Sequence, residues 1–97
     1  MPSRAEDWLR QASRDLQLAR EALAGGIFEW AAFAAQQAAE KAVKALYQGL
    51  DKHYIAPRYP NSYPEGAPMD FYTRAEAERA IDGAERVIEH CKSHLFR

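Results

Sequence analysis

Two charged side chains near the end of the sequence have the spacing of a catalytic pair. Arg86 and His90 lie four residues apart, so on a helix their side chains share one face. An arginine beside a histidine can stabilise a phosphate and shuttle a proton, which is the chemistry of RNA cleavage. Because Glu85 and Glu89 flank the pair, an ordinary solvated helix face is the favoured interpretation.

A second group of candidates lies in a stretch rich in tyrosine and proline, residues 49–72. Arg58 could bind a phosphate through two parallel hydrogen bonds, beside His53 and Tyr59, and tyrosine rings could stack on a base. In the alternative interpretation the aromatic rings pack this loop onto the domain, and Arg58 donates hydrogen bonds to backbone carbonyls. The composition favours this alternative over ligand binding.

A third candidate is a polar stripe in an alanine-rich segment. Gln36, Glu40 and Lys44 recur every four residues, so they project from one side of a helix. They could line a polar pocket or a buried network. A solvated stripe or an interhelical salt bridge is the ordinary alternative, and it is favoured.

The sequence predicts neither a metal site nor a cofactor. His90 and His94 could hold a metal from successive turns, but two ligands are too few for a typical site. The single cysteine, Cys91, continues an apolar helical period and is predicted to lie in the core. The sequence contains no glycine-rich phosphate loop and no paired-cysteine motif.

Composition limits the class of protein. The chain has 97 residues, 47% of them hydrophobic, and 13 basic against 14 acidic side chains give a net charge of −1. This balance argues against tight DNA binding, although a local basic patch would be compatible with it. One cysteine and the lack of a long apolar run predict a single cytoplasmic domain without a membrane segment.

Apolar periodicity predicts three helices, at residues 4–24, 27–47 and 74–94. Gly25 and Gly26 separate the first two, and Thr73 with Glu76 forms a capping box before the third. The predicted buried stripes are Trp8, Ala12, Leu16, Ala19 and Leu23; Phe28, Ala32, Ala35, Ala39, Ala42 and Leu46; and Ala77, Ile81, Ala84, Ile88, Cys91 and Leu95.

The second predicted helix is apolar on more than one side. Trp30, Phe33, Val43 and Tyr47 lie outside its main stripe, and a helix of this kind is usually covered on several faces. In so short a chain the second covering surface is expected from another protomer, which predicts a homodimer.

These segments resemble a HEPN domain (higher eukaryotes and prokaryotes nucleotide-binding domain). The first half of the resemblance consists of Trp8-Leu9, Asp15-Leu16 and the run from Phe33 to Leu46, with Gln-Gln-Ala-Ala-Glu-Lys at residues 36–41. The second half is the Asp-Lys-His-Tyr-Ile stretch at 51–55, Arg-Tyr-Pro at 58–60 and Pro-Glu-Gly at 64–66. Together they span nearly the whole chain.

The resemblance implies an all-α, up-and-down antiparallel helical bundle that forms a homodimer. In prokaryotes such proteins are often encoded beside a minimal nucleotidyltransferase, and many pairs are viewed as toxin–antitoxin systems. Catalytic members are metal-independent ribonucleases with an arginine followed, after four to six residues, by a histidine. Arg86 and His90 are separated by three residues, so the sequence favours a non-enzymatic role.

The chain also departs from the family in length. HEPN chains of this type carry further helical sequence between the second helix and the Asp-Lys-His-Tyr stretch, whereas here Leu50 is followed directly by Asp51. The middle helical segment is therefore short or missing, either by natural deletion or because it is absent from this chain.

The leading functional hypothesis is a HEPN protein that acts as a homodimer and as the partner of a minimal nucleotidyltransferase, with a nucleotide or RNA as a ligand to be tested. The alternatives are a metal-independent ribonuclease toxin and a non-catalytic helical interaction module. The candidate polar or nucleotide-contacting residues are Gln37, Glu40, Lys44, His53, Arg58, Tyr59, Arg86 and His90.

Overall fold

Three long helices make up the part of the chain that the computed structural model describes, residues 4–50 and 72–95. They are α1 (Arg4–Ala24), α2 (Phe28–Leu50) and α3 (Arg74–Leu95). The prediction of an all-α bundle is confirmed. Helix α2 continues through Gly49, so residues 49 and 50 belong to it and not to the predicted loop. A glycine near the end of a helix costs only about 1 kcal/mol.

A tight glycine turn joins α1 to α2. Gly26 has a φ of 78°, in the left-handed region that glycine adopts without steric cost. Its amide donates to the Leu23 carbonyl at 3.0 Å, and the Ile27 amide donates to the Ala22 carbonyl at 2.9 Å. This pair of bonds is the Schellman motif. It ends α1 where the sequence predicts and turns the chain directly into α2.

Helix α3 runs opposite to α1, as α2 does. Glu85 of α3 pairs with Arg20 near the end of α1, whereas Lys92 lines a groove with Ser13. At the start of α3, the Arg74 guanidinium lies 5.0 Å from the ring centroid of Phe28, at the start of α2. Thr73 caps α3 by accepting a hydrogen bond from the Glu76 amide at 3.2 Å, as the predicted capping box requires.

The core is built on alanine. Helix α2 lies between the other two, and alanine at its contact positions lets both approach closely; the larger apolar side chains come from α1 and α3. The buried residues of α2 are Ala31, Ala32, Ala34, Ala35, Ala38, Ala42 and Ala45. Those of α1 and α3 are Ala5, Leu9, Ala12, Leu16 and Ala19, and Ala77, Ile81, Ala84, Ile88 and Cys91.

The accuracy of the predicted stripes differs between helices. In α3 every predicted position is buried except Leu95, which is half-buried. In α2 the predicted Phe28, Ala39 and Leu46 are only half-buried. A helix packed between two neighbours buries a wide arc, and a single stripe cannot describe that arc.

Candidate functional site: an aromatic groove between α1 and α2

Large apolar side chains remain exposed where α1 turns into α2. Leu18 is 57% exposed, Ile27 46%, Trp30 61% and Phe33 48%. The Trp30 and Phe33 rings meet edge to face, with centroids 5.7 Å apart and planes at 84°. Isolated apolar residues are common on protein surfaces, but a contiguous cluster of this kind marks an interaction site.

These four residues line a groove of about 690 Å³, which we call the aromatic groove. Ala22 of α1 and Ala34 of α2 also line it, and their small side chains leave a recess beside the projecting rings. Asp15, Glu21, Gln37 and Lys41 complete the lining. The groove therefore combines an apolar centre with a polar edge, which is the usual composition of a protein–protein contact.

The polar edge contains an interhelical ion pair. Lys41 Nζ lies 2.5 Å from Asp15 Oδ2, and the two side chains are only 26% and 13% exposed. Gln37, one turn before Lys41 on α2, is half-buried in the same groove. The pair fixes the register of α2 against α1, because neither charge is well solvated without the other.

Lys44 extends the same face of α2 but makes a different contact. Its ammonium lies 4.1 Å from the centroid of the Trp8 ring, within the range of a cation–π interaction. Trp30, Phe33, Gln37, Lys41 and Lys44 recur at intervals of 3, 4, 4 and 3 residues. This is a second helical stripe along α2. Glu40 is half-buried on α2 and does not line the groove.

The candidate Arg86–His90 pair lies elsewhere, on the exposed surface of α3. Arg86 lines a shallow cleft with Asp82, Glu85 and Glu89, so its guanidinium is surrounded by carboxylates that would repel a phosphate. The His90 ring instead contacts His94, with centroids 4.5 Å apart. Both residues of the pair are exposed. They are far from the aromatic groove, which lies between α1 and α2.

The remaining predictions about candidate residues concern the loop and the metal. His53, Arg58 and Tyr59 lie outside the described residues, as does the step from Leu50 to Asp51. Within residues 4–50 and 72–95 no three metal-ligating side chains come together. No helix of that part combines the length and apolarity needed to cross a membrane. Cys91 is buried as predicted, and burial raises the pKa of its thiol.

Sequence reasoning misses part of the groove. Nothing in the sequence pattern singles out Leu18 and Ile27 or pairs Asp15 with Lys41. Heptad spacing of Trp8, Asp15 and Ala22 on α1 would place all three on one flank. Their partners on α2 depend on the register between two helices, which no pattern within a single helix specifies.

Comparison with known proteins identifies related chains. The HEPN domain family model matches residues 5–51 and again residues 47–94. The two matches overlap at residues 47–51. This is the region in which the sequence predicts that the middle helical segment of the family is short or missing. A Methanocaldococcus jannaschii protein named "Putative toxin MJ1304" is 24% identical over 133 positions, covering 94% of this chain and 88% of that protein.

Two solved structures have the same fold over almost their whole length. The crystal structure of ST0689, described as an archaeal HEPN homologue, superposes with a TM-score of 0.81 at 38% identity, covering 98% of this chain and 99% of that one. The crystal structure of TT1696 from Thermus thermophilus gives a TM-score of 0.77 at 32% identity, with 95% and 98% covered.

Proposed function

The chain belongs to the HEPN domain family, and on this premise we propose that it is a single-domain, dimeric, toxin-like module. The name of the Methanocaldococcus jannaschii relative designates a toxin, which supports this class of function. In this proposal two copies of the chain associate through their aromatic grooves, and the dimer is the form that binds a minimal nucleotidyltransferase partner.

The observation that carries the proposal is the exposed apolar cluster of Leu18, Ile27, Trp30 and Phe33. Each of these side chains is between 46% and 61% exposed, so covering them removes apolar surface from water at about 25 cal/mol per Å². The groove also has the geometry for self-association. Projecting rings and an alanine-lined recess lie side by side, so a two-fold axis can place each copy's rings in the other's recess.

The aromatic groove supports a protein partner better than a catalytic role. Tryptophan and phenylalanine are enriched at the centres of interfaces, where they carry much of the binding energy. By contrast, the arginine and histidine that a ribonuclease would need are not gathered there, and Arg86 lies among carboxylates. Nucleotide binding, which the family resemblance implies, requires a different and more cationic surface.

Sedimentation velocity of the full chain tests the proposed dimer. We expect the wild-type protein to sediment as a dimer and Trp30→Glu/Phe33→Glu to sediment as a monomer with unchanged helical circular dichroism. Ala75→Glu/Ser93→Glu is the control, because it adds the same two charges at exposed positions of α3 outside the groove. A monomeric wild type, or a dimeric double variant, would contradict the proposal.

Co-expression with the protein encoded beside it tests the proposed partner. We expect the wild-type chain and the Ala75→Glu/Ser93→Glu control to co-purify with a neighbouring nucleotidyltransferase and to lose their effect on cell growth in its presence. The monomeric double variant should bind the partner more weakly. If the wild-type chain forms no complex and has no effect on growth, the toxin-like role is wrong even if the dimer exists.

A further inference from the structure

The opposite flank of α1 carries a second groove with different chemistry. It has a volume of about 580 Å³ and lies between α1 and α3, within the range of roughly 300–1,000 Å³ typical of small-ligand sites. We call it the basic groove. It is lined by Glu6, Leu9, Arg10, Ser13, Arg14, Gln17 and Lys92.

Three of these side chains are cationic and one is acidic. Arg10 and Arg14 lie one helical turn apart on α1, and Lys92 reaches the groove from α3. Among the described residues, Glu6 is the only carboxylate that lines the groove. Asp7 lies 3.7 Å from Arg10, but the Asp7 and Arg10 side chains are both largely exposed. A surface pair of that kind is weak, so Arg10 keeps most of its capacity to bind an anion.

Arg14 and Lys92 have little to neutralise them. Within the described residues neither side chain makes an ion pair. Arg14 donates one hydrogen bond to Gln17 Oε1 at 3.4 Å, and this neutral partner does not cancel the charge of the guanidinium. Lys92 is half-buried, so its ammonium interacts with a ligand in a less solvated setting than a fully exposed lysine would.

Positive charge is confined to one part of the α1–α3 flank. Further along it Arg20 is neutralised by Glu85, with Nη2 and Oε2 2.9 Å apart, and beyond it lie Asp82 and Glu89. In the basic groove, by contrast, three cations face one lining carboxylate, Glu6. The net charge of −1 gives no indication of this local excess of cations.

We infer that the basic groove binds the phosphate groups of a nucleotide or of an RNA strand. Arginine forks donate paired hydrogen bonds to phosphate oxygens and lysine adds a point charge. Ser13 and Gln17 add neutral donors, and the buried Leu9 gives the groove an apolar floor. This inference goes beyond the proposed function, because it rests on the cations between α1 and α3 and not on the apolar cluster between α1 and α2.

Binding measurements on the full chain test this inference. The probes are ATP, followed by calorimetry, and a fluorescent single-stranded RNA of about ten nucleotides, followed by anisotropy. We expect Arg14→Gln/Lys92→Gln to weaken binding by about tenfold, because each lost cation removes a charge-assisted hydrogen bond. Arg4→Gln/Arg79→Gln is the control, since it gives the same net charge from exposed positions outside the groove.

The outcomes separate the ligand sources and the two proposals. Binding of RNA but not ATP identifies a backbone phosphate, and binding of ATP but not RNA identifies a nucleotide; either supports the site if only the groove variant weakens it. If wild-type protein binds neither probe at low salt, or if both double variants behave alike, the inference is overturned. Sedimentation of the groove variant should still give a dimer, so failure here leaves the proposed dimer intact.

Discussion

The two flanks of α1 have opposite surface chemistry although one helix supplies half of each. Toward α2 it presents Leu18 and Ala22 to two exposed aromatic rings. Toward α3 it presents Arg10, Ser13 and Arg14 to Lys92. Both candidate binding sites lie where two of the three described helices meet at the surface. The bundle can therefore separate a protein contact from an anion contact within one small domain.

Among the described residues each flank also carries one interhelical ion pair, and the two pairs differ in burial. Asp15–Lys41 on the α2 flank is 13% and 26% exposed, whereas Arg20–Glu85 on the α3 flank is 51% and 52% exposed. The first lies in a setting where removing one partner leaves a poorly solvated charge. The second lies in water, where either partner is solvated alone.

The largest expected difference between the two flanks is in how salt concentration affects binding at each. If three cations of the basic groove contact phosphates, raising salt from about 50 to about 200 mM should weaken RNA binding about twentyfold. The proposed dimer through the aromatic groove should be unaffected or slightly tighter, because burial of apolar surface is not screened. Anisotropy measures the RNA affinity and sedimentation equilibrium measures the dimer dissociation constant, each at the two salt concentrations. A dimer that dissociates with salt would assign the interface to charges.

Removing one partner from each ion pair should show the difference in burial. Lys41→Met removes the ion-pair partner of Asp15 and leaves it the hydrogen bond that the Gln11 amide donates at 3.0 Å. The substitution should reduce the free energy of unfolding by about 1–2 kcal/mol, allowing for the partial exposure of the pair. Arg20→Met leaves Glu85 in solvent and should cost less than about 0.5 kcal/mol. Urea unfolding at one fixed protein concentration compares them. Equal losses would mean that the two pairs are equally solvated.

Substitution of the turn glycine, Gly26, should destabilise the helical hairpin that forms the aromatic groove. Gly26→Ala forces an L-residue to a φ of 78°, which should lower the free energy of unfolding by about 1–2 kcal/mol. Gly83→Ala in α3 is the matched control. A Cβ there meets nothing within 4 Å, so it should raise stability by about 0.5–1 kcal/mol. Thermal unfolding followed by circular dichroism tests whether the two substitutions change stability in opposite directions.

The smallest expected effect concerns Cys91, on the core side of α3. Burial raises the pKa of its thiol above the ordinary value of 9.0, so above that pH the unfolded chain loses a proton that the folded chain keeps. The resulting stability is complete below pH 9.0 and is lost as pH rises through the folded pKa. The gap in unfolding free energy between wild type and Cys91→Ala should therefore narrow between pH about 7 and about 10. A constant gap would argue against a buried, neutral thiol.

The sequence predicts the helices well because each is marked by local chemistry. Gly26 and Thr73 set the end of α1 and the start of α3, and their roles need no tertiary contact. The helical period of α3 is unambiguous because charged residues surround its apolar stripe. In α2, alanine on all sides leaves the periodicity with little information. The predicted stripe therefore omits the fully buried Ala38 and Ala45.

The candidate site is predicted only in part. Trp30 and Phe33 stand outside the main stripe of α2, and both side chains are exposed in the described part of the chain. Whether a second copy covers it stays a prediction. Arg14 and Lys92 of the basic groove lie 78 residues apart in the sequence, on two different helices, so only the assembled bundle brings them together.

The alanine-lined packing of α2 also limits how the sequence can vary. Alanine is the best helix former, and replacing it with glycine costs about 1 kcal/mol. Serine would bury a hydroxyl, and any larger side chain would push one of the two neighbouring helices away. Positions 31, 35, 38, 42 and 45, all with no exposed surface, thus have almost no neutral substitutions. In a saturation mutagenesis experiment they should tolerate fewer replacements than the aromatic or basic residues of either groove.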